Sequence, residues 1–166
     1  WRRKVSTDLS IVSSVYYHQL SNVPVQAGLS NYSLINQWED FPQSNLEGTG
    51  KGRNYGIEAF VEKWFYGTVY FIVSGSVYES QYQNEALEYV DSRFNGKFTS
   101  SFLAGKEWKK TNKTFGVHAR VLYTGGLRQA PVDEFASALT GTTLYNLAQG
   151  YVVKLPDYFR TDVRVS

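Results

Sequence analysis

Hydrophobic and polar residues alternate with a period of two along six stretches of this chain, and residues 114–124 show it without a break. Phe115, Val117, Ala119, Val121 and Tyr123 fall on one side there, and Gly116, His118, Arg120, Leu122 and Thr124 on the other. Successive strand side chains leave opposite faces of a sheet, so this period predicts a strand with one charge-free face and one polar face. Residues 5–17 repeat the pattern, with Leu9, Ile11, Val15 and Tyr17 opposite Ser6, Asp8, Ser10 and Ser14. In 55–65, Tyr55, Ile57, Ala59 and Val61 oppose Gly56, Glu58, Phe60, Glu62 and Trp64, and from residue 69 Val69, Phe71, Val73 and Val77 oppose Tyr70, Ser74, Ser76, Tyr78 and Ser80. Residues 94–108 place Phe94, Phe98, Phe102 and Ala104 against Asn95, Lys97, Thr99 and Ser101. The final run, 158–166, places Phe159, Thr161, Val163 and Val165 against Arg160, Asp162 and Arg164.

The links between these runs alternate in length. Residues 18–52 read as a long polar loop with room for short strand extensions, 66–67 as a tight hairpin, 83–93 as a middling link, 109–113 as a second hairpin, and 125–156 as another long connection with a short helix over 133–139. Up-and-down antiparallel strands with all short turns at one end and all long loops at the other are the pattern of a transmembrane β-barrel. Most runs reach about 11 to 15 residues, longer than ordinary globular strands and sufficient to cross a bilayer at a tilt. Aromatic residues gather near the run ends, at Tyr16, Tyr17, Tyr55, Trp64, Trp108, Tyr123 and Tyr158, as expected of interfacial girdles.

Composition narrows the classes. Aromatics make up 16% of the 166 residues while the hydrophobic total is 42%, and the longest apolar block, near residues 69–73, is far below the ~20 residues of a membrane-spanning helix. Cysteine is absent, which removes disulfides and thiolate metal sites. The 17 basic and 15 acidic residues are interspersed, giving +2 overall, so no basic stripe for nucleic acid is expected. The chain opens on Trp1 and stops inside an alternating run, so both ends read as cut.

Candidate chemistry is sparse. His18 and His118 lack metal-spaced partners, and no nucleophile elbow or triad is present. Glu58 and Glu62 share one strand face about 13 Å apart, too far for a glycosidase pair. Gly50-Lys51-Gly52 precedes a strand rather than a helix and is not a phosphate loop. The expectation is therefore no enzyme, no cofactor and no metal. The aromatics Tyr32, Trp38 and Phe41 in the 18–52 loop are the candidate ligand contacts, because exposed rings stack on flat ligands.

Five segments carry a resemblance. Gly50-Lys51-Gly52-Arg53-Asn54-Tyr55-Gly56-Ile57-Glu58, Arg93-Phe94-Asn95-Gly96-Lys97, Leu103-Ala104-Gly105-Lys106-Glu107-Trp108, Tyr123-Thr124-Gly125-Gly126 with Pro131 and Asp133, and Leu155-Pro156-Asp157-Tyr158-Phe159-Arg160-Thr161-Asp162 follow in order. Together they resemble C-terminal barrel strands of TonB-dependent outer-membrane receptors, of the Bacteroidetes type with a carboxypeptidase-regulatory-like N-terminal domain. The resemblance implies that residues 1–166 are part of a 22-stranded barrel without its plug, located in the cell outer membrane. Its partners would be the remaining barrel and plug, outer-membrane lipid, and TonB only through the missing N-terminal part. The alternative is a secreted or periplasmic β-sandwich serving as a binding or adhesion module, with its apolar face packed on a second sheet.

Overall fold

The computed structural model describes residues 1–26, 32–37, 45–66 and 68–166, the side chains of 65 and 66 excepted. The strands run in chain order as β1 (Arg2–Lys4), β2 (Leu9–Gln26), β3 (Leu46–Tyr66), β4 (Val69–Gln83), β5 (Tyr89–Asp91), β6 (Phe98–Lys110), β7 (Lys113–Thr124), β8 (Arg128–Gln129), β9 (Val153–Lys154) and β10 (Tyr158–Val165). The six long strands correspond to the six predicted runs. They lie in one antiparallel sheet in the order β1-β2-β3-β4-β6-β7-β10, with β5 added to β4 and a separate β8–β9 ribbon. Every long strand thus pairs with the next long strand along the chain, which is up-and-down topology. The sheet is not closed: β1 and β10 are its two edges.

Boundaries differ from the expected ones most in 18–52. The 18 residues of β2 and 21 of β3 continue pairing well past the apolar alternation, to Gln26↔Leu46, so much of the predicted loop is a hairpin arm. Backbone ladder bonds need no apolar face, and the apolar residues of this arm, Leu20, Val23, Val25 and Leu46, are scattered among polar residues, Pro24 and glycines, so the period of two fades while the strand persists. The pairing shifts between Leu20 and Val23, where Asn22 takes a φ of 56°, a left-handed conformation that Asn tolerates. At the other end β2 begins at Leu9 rather than residue 5, because residues 5–8 turn the chain back onto β1, and Ser6 Oγ donates to Asp8 at 2.6 Å. β6 starts at Phe98 rather than at residue 94, after Lys97 with φ 73°. The expected helix is present as α1 (Glu134–Thr140); the Asp133 carboxylate accepts from Ala136 N–H and Gly141 closes the helix at φ 68°.

Register assembles the two faces. Ile11, Val61, Val73, Phe102 and Val121 form one cross-strand row, and Val15, Ile57 and Val77 another, all on the apolar face. Nothing among the described residues covers this face: Val15 is 78% exposed, Val77 67% and Val163 67%. The fully buried side chains lie elsewhere, at the long-connection end, where Tyr82, Asn36, Ser92 and Asn95 are almost wholly enclosed. The sheet therefore has one apolar exposed face and a small polar core at one end.

Candidate functional site

The opposite face is the polar one. Ser14, Glu58, Ser76, Thr99 and Thr124 lie side by side across five strands, and the adjacent row carries Val12, Phe60, Ser74, Ser101 and Leu122. Ser10 Oγ donates to Glu62 Oε1 at 2.7 Å and Ser14 Oγ to Glu58 Oε2 at 3.2 Å. These carboxylates hold hydroxyls rather than each other. A shallow hollow of ≈ 320 Å³ is lined from Val12 on β2 to Leu122 on β7. Five adjacent strands span roughly 19 Å at their usual spacing, so they can line one hollow only because the sheet curls toward its polar side.

Gly56 makes this curl possible at one point. It lies between Tyr16 and Tyr78 on the neighbouring strands, and a Cβ there would meet Val77 O at 2.7 Å, Tyr16 Oη at 2.9 Å and Tyr78 Cβ at 2.9 Å. Gly56→Ala is expected to cost about 1–3 kcal/mol through overpacking, read as a lower urea midpoint. Gly48→Ala, whose added Cβ meets only a carbonyl at 3.6 Å, is the matched substitution expected to change it little.

At the long-connection end, Asn95 organises the core. Its Oδ1 accepts from Ser80 N–H at 3.1 Å, and its Nδ2 donates to Glu79 at 2.9 Å and Asp91 at 2.6 Å. Lys97 Nζ bridges the same two carboxylates at 2.7 and 3.1 Å, and Arg128 reaches Asp91 at 2.6 Å. These contacts tie β4, β5 and β8 to the segment before β6. Across the sheet, Asn36 Oδ1 accepts from Arg93 N–H at 2.8 Å, linking the short 3-10 turn Leu34–Asn36 to the same core. Arg53 lies 4.1 Å over the Tyr89 ring and donates to Gln81. Tyr151 packs edge-on against Tyr82, and burial pushes its phenol up from the ordinary range.

Gly125 and Gly126 let the 125–157 connection leave β7 closely packed, since a Cβ on either would overlap the Gly96 or Leu155 carbonyl. Asp157 fastens that exit. Lys154 Nζ at 2.8 Å and Gly126 N–H at 2.9 Å hold its carboxyl below the usual range. A lowered folded value means that this stabilisation is present above 3.8 and is lost as pH falls through the folded value beneath it. The protection of the Gly126 amide, taken relative to the intrinsic exchange rate at each pH, is expected to fall on such acidification, and Asp157→Asn is expected to show less protection already at neutral pH, with that acid step gone.

Of the predicted ligand contacts, Tyr32 is buried rather than presented: it is 9% exposed and its hydroxyl donates to Gln37 at 3.4 Å. Trp38 and Phe41 lie outside the described residues. His118 faces the polar side and shares a 2.9 Å hydrogen bond with Tyr70, while His18 packs on Tyr16. The Asn95 cluster and the Tyr70–His118 pair escaped sequence reading, because a single Asn in a polar link and a Tyr 48 residues from its partner leave no local signal. Among the described residues no three His, Cys, Asp or Glu side chains converge as a metal site. Comparison with protein families, with curated proteins and with solved structures returns no match for this chain.

Proposed function

We propose that this chain is a wall segment of a TonB-dependent receptor in the bacterial outer membrane, taking part in nutrient uptake without catalysing a reaction. The uncovered apolar face is the observation that carries the reading. On β3 that face runs from Lys63 through Val61, Ala59, Ile57 and Tyr55 to Arg53, ten residues apart. Ten residues at the strand rise give ~33 Å, and at the ~40° tilt of barrel strands ~25 Å, the height of an outer-membrane apolar band. Glu79 on β4 and Lys106 on β6 bound the band on the neighbouring strands. Rings cluster toward both ends: Tyr17 with Tyr55 at 6.2 Å, and Trp108 with Phe115 at 5.5 Å, the latter with Lys106 above the indole.

In this reading the polar face lines the lumen, the tight hairpins lie at the periplasmic end, and the long connections contribute to ligand capture outside the cell. The remaining strands complete the wall at β1 and β10, the plug fills the lumen, and TonB acts through the receptor's N-terminal part. An open sheet with two free edges and a bare apolar face is aggregation-prone in water. The chain is therefore expected to give a β-type circular dichroism spectrum as a dispersed species only with detergent or lipid. A soluble monomer that unfolds cooperatively in detergent-free buffer would overturn the reading in favour of a β-sandwich-type module.

A further inference from the structure

The polar face is not evenly charged. Its β2–β3 side carries Glu58 and Glu62, whereas its β7–β10 side carries His118, Arg120, Arg160 and Arg164 with Asp162 as the one carboxylate among them. Register places Arg120 opposite Asp162 and His118 opposite Arg164, so these four form a square on two neighbouring strands. Directly opposed and diagonal residues on one face lie within ~5–8 Å at their Cβ atoms, within reach of a shared ligand for guanidinium side chains.

Asp162 is engaged by Arg160 rather than by Arg120 or Arg164, and the cluster keeps an excess of positive charge. Arg160 Nε and Nη2 both reach its Oδ1 at 2.9 Å, and neither Arg120 nor Arg164 makes an ion pair among the described residues. The two guanidiniums stay free and exposed on either side of a fixed imidazole. Tyr70 holds His118 Nδ1 at 2.9 Å and Ser166 Oγ lies 3.4 Å from Nε2. Two glycines make room for this clamp: a Cβ on Gly105 would overlap the Tyr70 and His118 rings, and one on Gly116 would meet His118 Nε2 at 2.8 Å and Ser166 Oγ at 2.9 Å. A hollow of ≈ 280 Å³ opens there, lined by Tyr70, Leu103, His118, Arg120, Asp162 and Arg164.

We infer that this hollow is an oxyanion site, in which Arg120 and Arg164 grip a carboxylate or phosphate group beside the clamped His118. Guanidinium forks match paired anionic oxygens, and charge-assisted bonds of this kind are the strong ones. Asp162 opposes the ligand and limits its affinity, and Arg160 restrains that carboxylate. The inference does not rest on the membrane reading, since the face is polar and accessible in either surrounding.

The test is a titration of the full chain, in water or in detergent, whichever keeps it folded, with inorganic phosphate and with citrate separately at constant pH and ionic strength. The two histidines provide the readout, with His118 in the site and His18 on β2 as internal reference, assigned through His18→Gln. Saturable shifts of the His118 ring signals with His18 unmoved are expected, and the anion that produces them identifies a phosphate or a carboxylate ligand. The double variant Arg120→Gln, Arg164→Gln is expected to weaken binding about tenfold or more. Asp162→Asn is expected to tighten it about threefold or more, a gain that damaged folding cannot imitate. No response to either anion, parallel drift of both histidines, or unchanged affinity in Asp162→Asn would overturn the assignment.

Discussion

Val73→Arg is expected to cost about 2–4 kcal/mol of stability in lipid, the penalty for a cation on the outer face of a barrel near mid-bilayer. Val73 sits in the row Ile11, Val61, Val73, Phe102 and Val121, inside the apolar band; on its own strand it lies four residues from Val69, which pairs with Lys106, and six from Glu79, and it is 39% exposed. In a water-soluble sheet an exposed valine tolerates arginine within about 0.5 kcal/mol. The substitution thus separates a lipid-facing sheet from one whose face is open to water; a sandwich-type module, whose apolar face packs on a second sheet, is distinguished instead by its solubility without detergent. Ser74→Arg, one residue along on the polar face, is the internal comparison and is expected to change stability little in either. Urea unfolding from lipid vesicles measures both, and equal midpoints for the two variants would contradict the assignment of faces.

Asn95→Leu is expected to remove about 3–4 kcal/mol locally, because three side-chain hydrogen bonds disappear from a fully buried position and Ser80 N–H loses its acceptor. Two of the lost bonds go to Glu79 and Asp91, whose repulsion then rests on Lys97 and Arg128 alone. Asn95→Asp is expected to cost at least as much, since it places a third carboxylate in the cluster and withdraws the Nδ2 donor. The loss is confined to the long-connection end. Amide exchange at Ser80 and at Arg128, whose N–H is bonded to Arg93 O, should accelerate by several hundredfold, roughly what 3–4 kcal/mol amounts to, while Val73 and Val121 stay protected. Exchange unchanged at Ser80 and Arg128 would mean that other contacts hold the connections in place.

The strands were legible where one face is apolar and the other polar, since that contrast has a period of two; β4, β7 and β10 begin and end within three residues of expectation. The outer arms of β2 and β3 were not legible, because their few apolar residues, Leu20, Val23, Val25 and Leu46, keep no period and the Asn, Gly and Pro around them match the composition of a loop. The short strands β5, β8 and β9 were hidden for a related reason: two or three residues show no period, and their pairing is set by long-range contacts such as Asp91 with Arg128. The loop aromatics illustrate the limit for sites. A polar stretch predicts an exposed Tyr32, yet the ring is buried and its hydroxyl donates to Gln37, just past the 3-10 turn Leu34–Asn36. His118 was read correctly as a polar-face residue, but Tyr70, Gly105 and Gly116, which fix and accommodate its ring, lie on other strands or serve only by lacking a side chain.

In the proposed receptor wall the uncovered apolar face meets lipid while the polar face meets water. Spin labels placed one at a time along residues 71–79 of β4, in the full chain reconstituted in lipid vesicles, test it most directly. Collision with oxygen, which concentrates in the bilayer, is expected to peak at 71, 73, 75 and 77 and fall at 72, 74, 76 and 78, with collision with a water-soluble nickel chelate in the opposite phase. A flat profile, or chelate access at both parities throughout, would contradict the account.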